Sequence, residues 1–308
     1  MTSQFMDLTK QQKQTKEFFE KHSEEWYKNA KLNLNTTVNV VKIRNSYVEN
    51  ICSRFLNRGA KTLDVGCGVG DLVISLLQRG YDAFGIDFAS SMIEKALYDA
   101  EKLNFSKDRF IIDSFFEFNP GIKFSLISAN GFIEYISEEE LTDFINRICG
   151  LLETGGIAII ESRNRLFNVF SFNNYTNAEI KIGQMNHLLE ECVLFNNAKS
   201  MQELLNQNFA SKISANLQEH DYTGNEFVDI NVDKRLQYTP FQLIAKLRDH
   251  GFDIIDLTPY HIHAVTTGVK EMEPEIHTQL SYFLQNNENT RLRLFPQASS
   301  FMITVKKI

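Results

Sequence analysis

The stretch that decides the fold is Lys61–Asp71, which reads KTLDVGCGVGD. An apolar strand leads into a turn that carries three glycines, and an amphipathic segment follows the turn. In α/β sheets this order of strand, glycine turn and helix brings bare backbone against a nucleotide-like ligand. The helix also points its positive N-terminus at the same place. The stretch therefore predicts a ligand site at the carboxyl end of the first strand.

Strand and helix patterns alternate along the chain around this loop. Capping boxes at Ser91-x-x-Glu94 and Ser137-x-x-Glu140 open two helices, and Thr239-Pro240 opens a third. Such alternation is typical of a parallel sheet with helices on both faces and a ligand at the carboxyl ends of the strands. The predicted strands are 62–65, 81–86, 110–112, 124–129, 157–161, 252–257 and 300–305.

The predicted α/β core consists of residues 59–162 and 238–308. Residues 1–58 precede it and carry two helical patterns, over 17–28 and 39–56, both rich in apolar side chains. Two interpretations of this N-terminal part stay open at the level of sequence. It either covers an edge of the sheet or forms a lid over the ligand.

The alternation breaks in residues 163–237, a segment rich in Asn and Phe. It shows helical patterns near 178–193 and 200–209 and no clear strand. A connection of this length is usually functional. We therefore expect an inserted helical cap that binds a second ligand.

Composition excludes several classes of protein. The 308 residues carry a formal charge of −7, which argues against a binder of nucleic acid because such proteins present basic patches. No apolar run is long enough to span a membrane, and the N-terminal residues lack the apolar centre of a signal peptide. The four cysteines are scattered, as in proteins of a reducing compartment. We expect a cytoplasmic protein with a small-molecule ligand, and the oligomeric state stays open.

The charges around the glycine turn indicate what it binds. A dinucleotide site has the pattern G-x-G-x-x-G, whereas Gly66, Gly68 and Gly70 form G-x-G-x-G here. Asp64 and Asp71 flank the turn, and both would repel a pyrophosphate. The Gly-Lys-Ser/Thr of a P-loop is absent. The turn therefore favours a cationic ligand that carries an ammonium and a sulfonium, which is the chemistry of S-adenosylmethionine.

Residues 63–70, LDVGCGVG, resemble the first motif of the class I S-adenosylmethionine-dependent methyltransferases. The similarity continues through roughly 60–162 and 238–306. It implies a Rossmann-like fold with a seven-stranded, mostly parallel sheet whose last strand is antiparallel. The expected cofactor is S-adenosyl-L-methionine, which leaves as S-adenosyl-L-homocysteine.

The resemblance also implies roles for the first donor-binding residues. Asp64 would orient the loop and the amino end of the methionine, while Gly66 and Gly68, with Cys67 between them, pass under the methionine. Asp87, at the end of the second strand, would take both ribose hydroxyls, because a carboxylate accepts two hydrogen bonds at once. Taken alone, Asp87 is equally well interpreted as a solvated loop acid.

Further donor contacts are implied at the ends of the next strands. Phe88 and Met92 would pack against the adenine. Asp113 would face the adenine amino group, with Ser114 or Phe115 beside it. Asn130, after the fourth strand, would meet the methionine end. Three acids at the ends of successive strands after a glycine loop support donor binding more strongly than any one of them alone.

Candidate catalytic residues follow the sixth strand. His261 and His263 are separated by one residue, which places both imidazoles on one side of an extended segment. Histidine suits a base near neutral pH, so either is a candidate base for an oxygen acceptor. A metal site is the rival use of the pair, and we expect none because no carboxylate cluster accompanies it. The remaining histidines are expected mostly at the surface: His22, His187, His220, His250 and His277.

Acceptor binding is predicted from the insertion and from the segment after the sixth strand. Arg163 suits an anionic acceptor because a guanidinium matches phosphate geometry. Tyr175 and Tyr260 would supply aromatic walls. The run 163–175, together with Tyr260-His-Ile-His263, resembles methyltransferases associated with surface-polysaccharide synthesis.

These observations predict a methyltransferase that acts on the oxygen of a small molecule, with a sugar or a phosphorylated sugar precursor of a surface polysaccharide as the favoured acceptor. An isoprenoid-quinone or small-amine methyltransferase is the first alternative. A non-catalytic protein that binds S-adenosylmethionine as a scaffold or sensor is the alternative from another class.

Overall fold

A seven-stranded sheet organises the computed structural model, which describes residues 8–31, 36–206, 217–218, 221–223 and 234–308. The strand order is β3-β2-β1-β4-β5-β9-β8. Strand β9 runs antiparallel to both of its neighbours, and the other neighbouring pairs are parallel. The predicted fold class is confirmed, including the antiparallel last strand. The strands are β1 Lys61–Val65, β2 Asp82–Asp87, β3 Phe110–Ile112, β4 Phe124–Ala129, β5 Leu152–Arg163, β6 Asp221–Thr223, β7 Lys234–Leu236, β8 Phe252–Ile262 and β9 Ala298–Lys307.

Helices pack on both faces of the sheet and fill the connections between its strands. On one face Leu63 and Ile160 pack with Phe144, and on the other Ile159 packs in a cluster with Ile51 and Val73. The helices are α1 Lys10–Lys31, α2 Val40–Phe55, α3 Asp71–Gln78, α4 Ser90–Lys102, α5 Glu138–Leu151, α6 Asn168–Ser171, α7 Asn174–Lys181, α8 Met185–Asn197, α9 Met201–Leu205, α10 Pro240–Asp249, α11 Thr267–Met272 and α12 Pro274–Gln285. In the described part of the chain, no helix combines the length and the apolar character that crossing a membrane requires.

The capping predictions have different outcomes. Ser137 caps α5 in a complete capping box with Glu140, and Thr239 does the same for α10 with Gln242. The capping box at Ser91 is wrong, because α4 begins at Ser90 and no side chain of its own segment caps it. Its first amides are instead bound by Glu20 from α1. The Glu20 carboxylate accepts hydrogen bonds from the backbone of Ser90 at 2.7 Å and of Ser91 at 2.9 Å.

The insertion is more structured than its sequence predicts. The pattern over 178–193 is two helices, because Gly183, with a φ of 74°, separates α7 from α8. The pattern over 200–209 becomes α9, with Ser200 as its N-cap, and residues 207–209 lie outside the described residues. The expectation of no strand is wrong, since β6 and β7 pair as a short two-stranded antiparallel sheet.

The last third of the chain also departs from prediction. Strand β8 continues five residues past its predicted end at Leu257, so that Tyr260 and His261 belong to the strand. Two unpredicted helices, α11 and α12, connect β8 to β9. This longer strand brings the His261 segment to the same end of the sheet as the carboxyl end of β5.

Candidate active site

The glycine turn follows β1 and adopts a conformation that L side chains resist. Gly66, Gly68 and Gly70 have φ angles of 69°, 52° and 77°. A Cβ atom at Gly70 would lie 2.7 Å from the side chains of Ala96 and Phe110, so Gly70 permits close packing of the loop on the sheet. A Cβ at Gly68 would meet nothing within 4 Å. The bare backbone of Gly68 thus faces open space at the carboxyl end of β1.

Asp87 fixes this turn from the end of the neighbouring strand β2. One carboxylate oxygen accepts a hydrogen bond from the amide of Gly68 at 2.9 Å, and the other accepts from the amide of Ala89 at 2.9 Å. Each oxygen can accept more than one hydrogen bond. The carboxylate therefore holds the loop in shape and keeps acceptor capacity for a ligand hydroxyl.

A cavity of about 180 Å³ opens in front of the turn. Its wall is formed by the carboxyl ends of the strands and by α1 and α2. Every residue that the sequence analysis assigned to donor binding lines this one cavity: Asp64, Gly66, Cys67, Gly68, Asp87, Phe88, Met92, Asp113, Ser114, Phe115 and Asn130.

Burial raises the pKa values of two acids in the cavity wall. It raises the pKa of Asp64 to about 7, although Ser128 donates a hydrogen bond to that carboxylate at 2.7 Å. Burial likewise raises the pKa of Asp87 to about 6, against the opposing effect of the two amides. Asp113 is exposed, and its carboxylate accepts a hydrogen bond from the amide of Ser114 at 2.8 Å.

The N-terminal helices complete the cavity. Phe19 and Trp26 of α1 line it and pack in one cluster with Phe88 and Met92. Besides the Glu20 contacts, α1 is held on α4 by Asp99, which pairs with Lys31 and accepts a hydrogen bond from Tyr27. Helix α1 therefore lies over the cavity at the side of Phe88.

Two charged residues of the wall were missed by the sequence analysis. Arg44 of α2 lines the cavity and donates a hydrogen bond to Glu161 at 2.8 Å. Glu134 lines it four residues after Asn130. An acid soon after the fourth strand is a signal that sequence reasoning could have used for Glu134. Arg44 lies within an amphipathic helix, and nothing in the neighbouring sequence indicates that its side chain lines the cavity.

Glu134 lies between cations. Its Oε2 atom accepts a hydrogen bond from Arg235 at 2.9 Å and lies 3.8 Å from Nε of Arg163. Burial opposes ionisation, but Arg235, Arg163 and Arg44 together outweigh it, so the pKa of Glu134 lies below its usual value. Oε1 makes no hydrogen bond with a described residue. Glu134 thus presents a carboxylate that is charged at neutral pH to the cavity.

The predicted catalytic and acceptor residues lie elsewhere. His261, His263, Arg163, Tyr175 and Tyr260 are all absent from the cavity lining within the described ranges. Arg163 is adjacent to the cavity, through Glu134, and its guanidinium lies 5.9 Å from the ring centre of Tyr175. Tyr260 is fully buried, and its pKa is raised by burial and by the Glu161 carboxylate.

The imidazoles of His261 and His263 are neighbours, with ring centres 4.5 Å apart. Burial is the main cause that lowers their pKa values, to about 3 for His261 and still further for His263. His277, expected at the surface, is buried beside His263 at 5.0 Å, because the unpredicted helix α12 packs on β8. His22, His187 and His250 are only partly buried, and His220 lies outside the described residues. Across the described segments, no cluster of three or more His, Cys, Asp or Glu side chains is arranged to hold a metal ion.

Solved structures share this fold. Magnesium protoporphyrin IX methyltransferase from Synechocystis PCC 6803, crystallised with bound S-adenosylhomocysteine, has a TM-score of 0.53 and 14% identity over 96% of this chain and 98% of its own. An S-adenosylmethionine-dependent methyltransferase from Clostridium acetobutylicum ATCC 824 has a TM-score of 0.52 and 13% identity over 94% and 98%. The strand order and these structures define the Rossmann-like fold of class I S-adenosylmethionine-dependent methyltransferases.

A family model described as a methyltransferase domain matches residues 56–231, more than half of the 308 residues. The chain belongs to this methyltransferase family.

Curated relatives are similar over a smaller part. A ubiquinone biosynthesis O-methyltransferase from Bradyrhizobium sp. (strain ORS 278) is 26% identical over 162 residues, which is 50% of this chain and 62% of the relative. A protein of the same name from Bartonella tribocorum is 30% identical over 112 residues, covering 36% and 44%. The chain therefore spans less than two thirds of the length of these relatives.

Proposed function

We propose that this protein transfers a methyl group from S-adenosylmethionine, bound in the cavity, to an oxygen of a small molecule. The observation that carries the proposal is the convergence of Asp64, Asp87 and Asp113 with the glycine turn on one cavity. These three acids come from the ends of three neighbouring strands. Carboxylates around bare backbone suit a ligand with a sulfonium, an ammonium and a ribose diol.

Individual atoms of the wall fit such a donor. Oδ1 of Asn130 is buried and has no hydrogen-bond partner among the described residues, so it can accept from an ammonium. Arg44 can meet the donor carboxylate, and Asp87 the ribose hydroxyls. When bound, S-adenosylmethionine supplies an activated methyl group that an oxygen nucleophile takes by in-line displacement.

Donor affinity should rise with pH. Binding a cation and a diol favours the ionised forms of Asp64 and Asp87, whose pKa values are raised to about 7 and about 6. At a pH below its pKa, each carboxyl is protonated and must first ionise in order to bind the donor. We therefore expect the dissociation constant of the donor to fall about tenfold or more between pH 5.5 and 7.5. Calorimetric titration with S-adenosylmethionine at both pH values measures this change.

The folding stability of the ligand-free protein should decrease with pH over the range in which donor affinity increases. A folded-state pKa above the unfolded value contributes stability at low pH that is lost as the pH rises through about 4 to 7. Asp64→Asn should flatten part of the pH dependence of donor binding. An affinity that is independent of pH in the unaltered protein would contradict these assignments.

Glu134 is the group best placed to receive the proton of the acceptor hydroxyl. It is ionised, it lines the cavity, and Oε1 makes no hydrogen bond with any residue that the structure describes. A hydroxyl becomes strongly acidic as its oxygen takes the methyl group, so a carboxylate of low pKa suffices as the base. The negative charge also stabilises the positive charge that develops on that oxygen.

His261 and His263 are the alternative base. Their lowered pKa values keep both imidazoles neutral at physiological pH, so each can accept a proton. Neither histidine lines the cavity among the residues with described positions, and a base must reach the proton that it removes. This location favours Glu134 for the reaction itself.

Two classes of acceptor are candidates. Polar side chains in the cavity wall favour a sugar or a phosphorylated sugar: Gln12, Thr15, Arg44 and Glu134. Aromatic side chains that also line the cavity, among them Phe116, Phe132 and Tyr135, favour an aromatic acceptor. The name of the relatives, ubiquinone biosynthesis O-methyltransferase, favours a quinone precursor that is methylated on oxygen. The resemblance to the surface-polysaccharide branch rests on residues 163–175 and 260–263, and the relatives above give it no support. We further propose that the methyltransferase acts in the cytoplasm, as its composition predicts.

A transfer assay with donor labelled in the methyl group separates these candidates. The full chain is incubated with sugar phosphates, neutral sugars, catechol-type quinone precursors and small amines, and labelled product is counted. We expect label in the hydroxyl compounds that carry a polar or anionic group. Label confined to amines would contradict oxygen methylation. Donor binding without transfer to any class would favour the non-catalytic alternative.

A further inference from the structure

A cluster of basic side chains lies around the ends of β5 and β8, and Arg163 connects it to Glu134 at 3.8 Å. It consists of His261 and His263 at the end of β8, His277 of α12, Lys270 of α11, and Arg163 at the end of β5. The ring centres are 4.5 Å apart for His261 and His263 and 5.0 Å apart for His263 and His277. We call this group the histidine cluster.

Two of the three imidazoles of this cluster make no hydrogen bond with a described residue, whereas Nδ1 of His261 is hydrogen-bonded to the Ser299 hydroxyl at 2.8 Å. Both ring nitrogens of His263 and both of His277 are buried and lack a partner among the described residues. The two residues are only 4% and 2% exposed. Buried polar groups are almost always hydrogen-bonded, and leaving one unpaired is costly. Four unpaired nitrogens in one place therefore indicate a ligand with hydrogen-bonding atoms.

The two cations of the cluster are also without hydrogen bonds. The side chain of Lys270 makes no hydrogen bond or ion pair with a described residue, although it is only partly exposed. Nε of Arg163 is buried and likewise has no hydrogen-bond partner within the described segments. The nearest carboxylate to Arg163 is Glu134 at 3.8 Å, and Glu134 is already bound by Arg235.

The charges of this region decide which ligand fits. After burial, the largest influences that lower the pKa values of the three imidazoles come from basic neighbours. Lys270 acts most on His261 and His277, His261 acts most on His263, and Arg163 acts on His261 and His263. No carboxylate lies within 4.0 Å of His261, His263 or His277 among the described residues. A cationic ligand would be repelled here, and the imidazoles are not arranged to hold a metal ion in the described structure. An oxyanion would accept hydrogen bonds from neutral imidazole N–H groups and pair with both cations.

We propose that the histidine cluster binds the anionic group, a phosphate or a carboxylate, of the methyl acceptor. This inference rests on the proposed function. Arg163 links the cluster to the cavity through Glu134, so an acceptor anchored by its anion can extend its hydroxyl toward Glu134 and the donor. Anchoring a remote group positions the reacting oxygen. His261 and His263 then hold the acceptor, while Glu134 takes the proton.

Calorimetric titration of the full chain with inorganic phosphate tests the proposal, and sodium acetate serves as the carboxylate probe. We expect saturable binding of at least one of the two. Tighter binding of phosphate assigns a phosphorylated acceptor, and tighter binding of acetate assigns a carboxylated one. Lys270→Gln should weaken binding about tenfold or more, because a charged hydrogen-bonding partner is lost. Lys270→Arg should recover part of it, and Lys199→Gln, at an exposed lysine of the insertion, should change nothing.

A second measurement excludes a merely structural role. Phosphate should raise the pKa of the cluster histidines, as followed by the NMR signals of their rings, because an anion favours the imidazolium form. Absence of saturable binding, or binding that Lys270→Gln and Lys199→Gln weaken equally, would overturn the proposal. S-adenosylmethionine is titrated into the same samples. If the unaltered protein binds the donor but neither anion, only this inference is wrong. If the unaltered protein does not bind the donor, the proposed function is wrong.

Discussion

Asp87→Ala is expected to weaken binding of S-adenosylmethionine by about 100-fold or more. The Asp87 carboxylate is the proposed acceptor for the ribose hydroxyls, and it also holds the amides of Gly68 and Ala89 at 2.9 Å each. The substitution removes charge-assisted hydrogen bonds, each of which contributes roughly 1.5–3 kcal/mol. It also releases the glycine turn that cradles the donor. Calorimetric titration of the purified variant measures the loss.

The matched control is Asp143→Ala, which removes an exposed acid of α5 outside the cavity lining. Its donor affinity should equal that of the unaltered protein. Asp87→Asn, which keeps the shape and loses the charge, should lie between the control and Asp87→Ala. If Asp87→Ala is folded and binds the donor as tightly as the control does, the ribose assignment is wrong.

Glu134→Gln is expected to lower the turnover number by about 100-fold or more, which is the usual contribution of a general base. Donor affinity should change only a few-fold, because Glu134 is not among the proposed donor contacts and pairs with Arg163 and Arg235. Turnover is measured with whichever acceptor class takes label in the transfer assay. The glutamine keeps the size of the side chain and removes the negative charge and most of its basicity.

Glu94→Gln, at an exposed acid of α4, is the control and should leave turnover unchanged. His261→Ala and His263→Ala distinguish the two candidate bases. If the histidines anchor the acceptor, these substitutions should raise KM more than they lower the turnover number. A large loss of turnover in either histidine variant, with Glu134→Gln fully active, would instead make that histidine the base.

Local signals in the sequence were sufficient to predict the parallel strands and the residues that meet at the glycine turn. Strands β3 and β4 begin and end at the predicted residues. The carboxyl ends of parallel strands meet at one edge of the sheet, so acids that follow successive strands had to converge. The common cavity of Asp64, Asp87 and Asp113 follows from that rule.

Local sequence patterns could not predict contacts between distant parts of the chain. Ser91-x-x-Glu94 satisfies a capping pattern, yet a carboxylate from Glu20, some seventy residues earlier, reaches the helix N-terminus instead. His277 looked like a surface residue because nothing local indicates that α12 packs on β8. The histidine cluster and the setting of Glu134 arise in the same way, from side chains that only the folded chain brings together.

The central claim is that the donor occupies the cavity under α1, and Trp26 offers the most direct measurement. It is the only tryptophan of the chain, and it lines that cavity. Titration with S-adenosylmethionine should change the fluorescence of Trp26 saturably, with the same dissociation constant that calorimetry gives. Calorimetric binding with no change in Trp26 fluorescence, or no binding at all, would contradict the account.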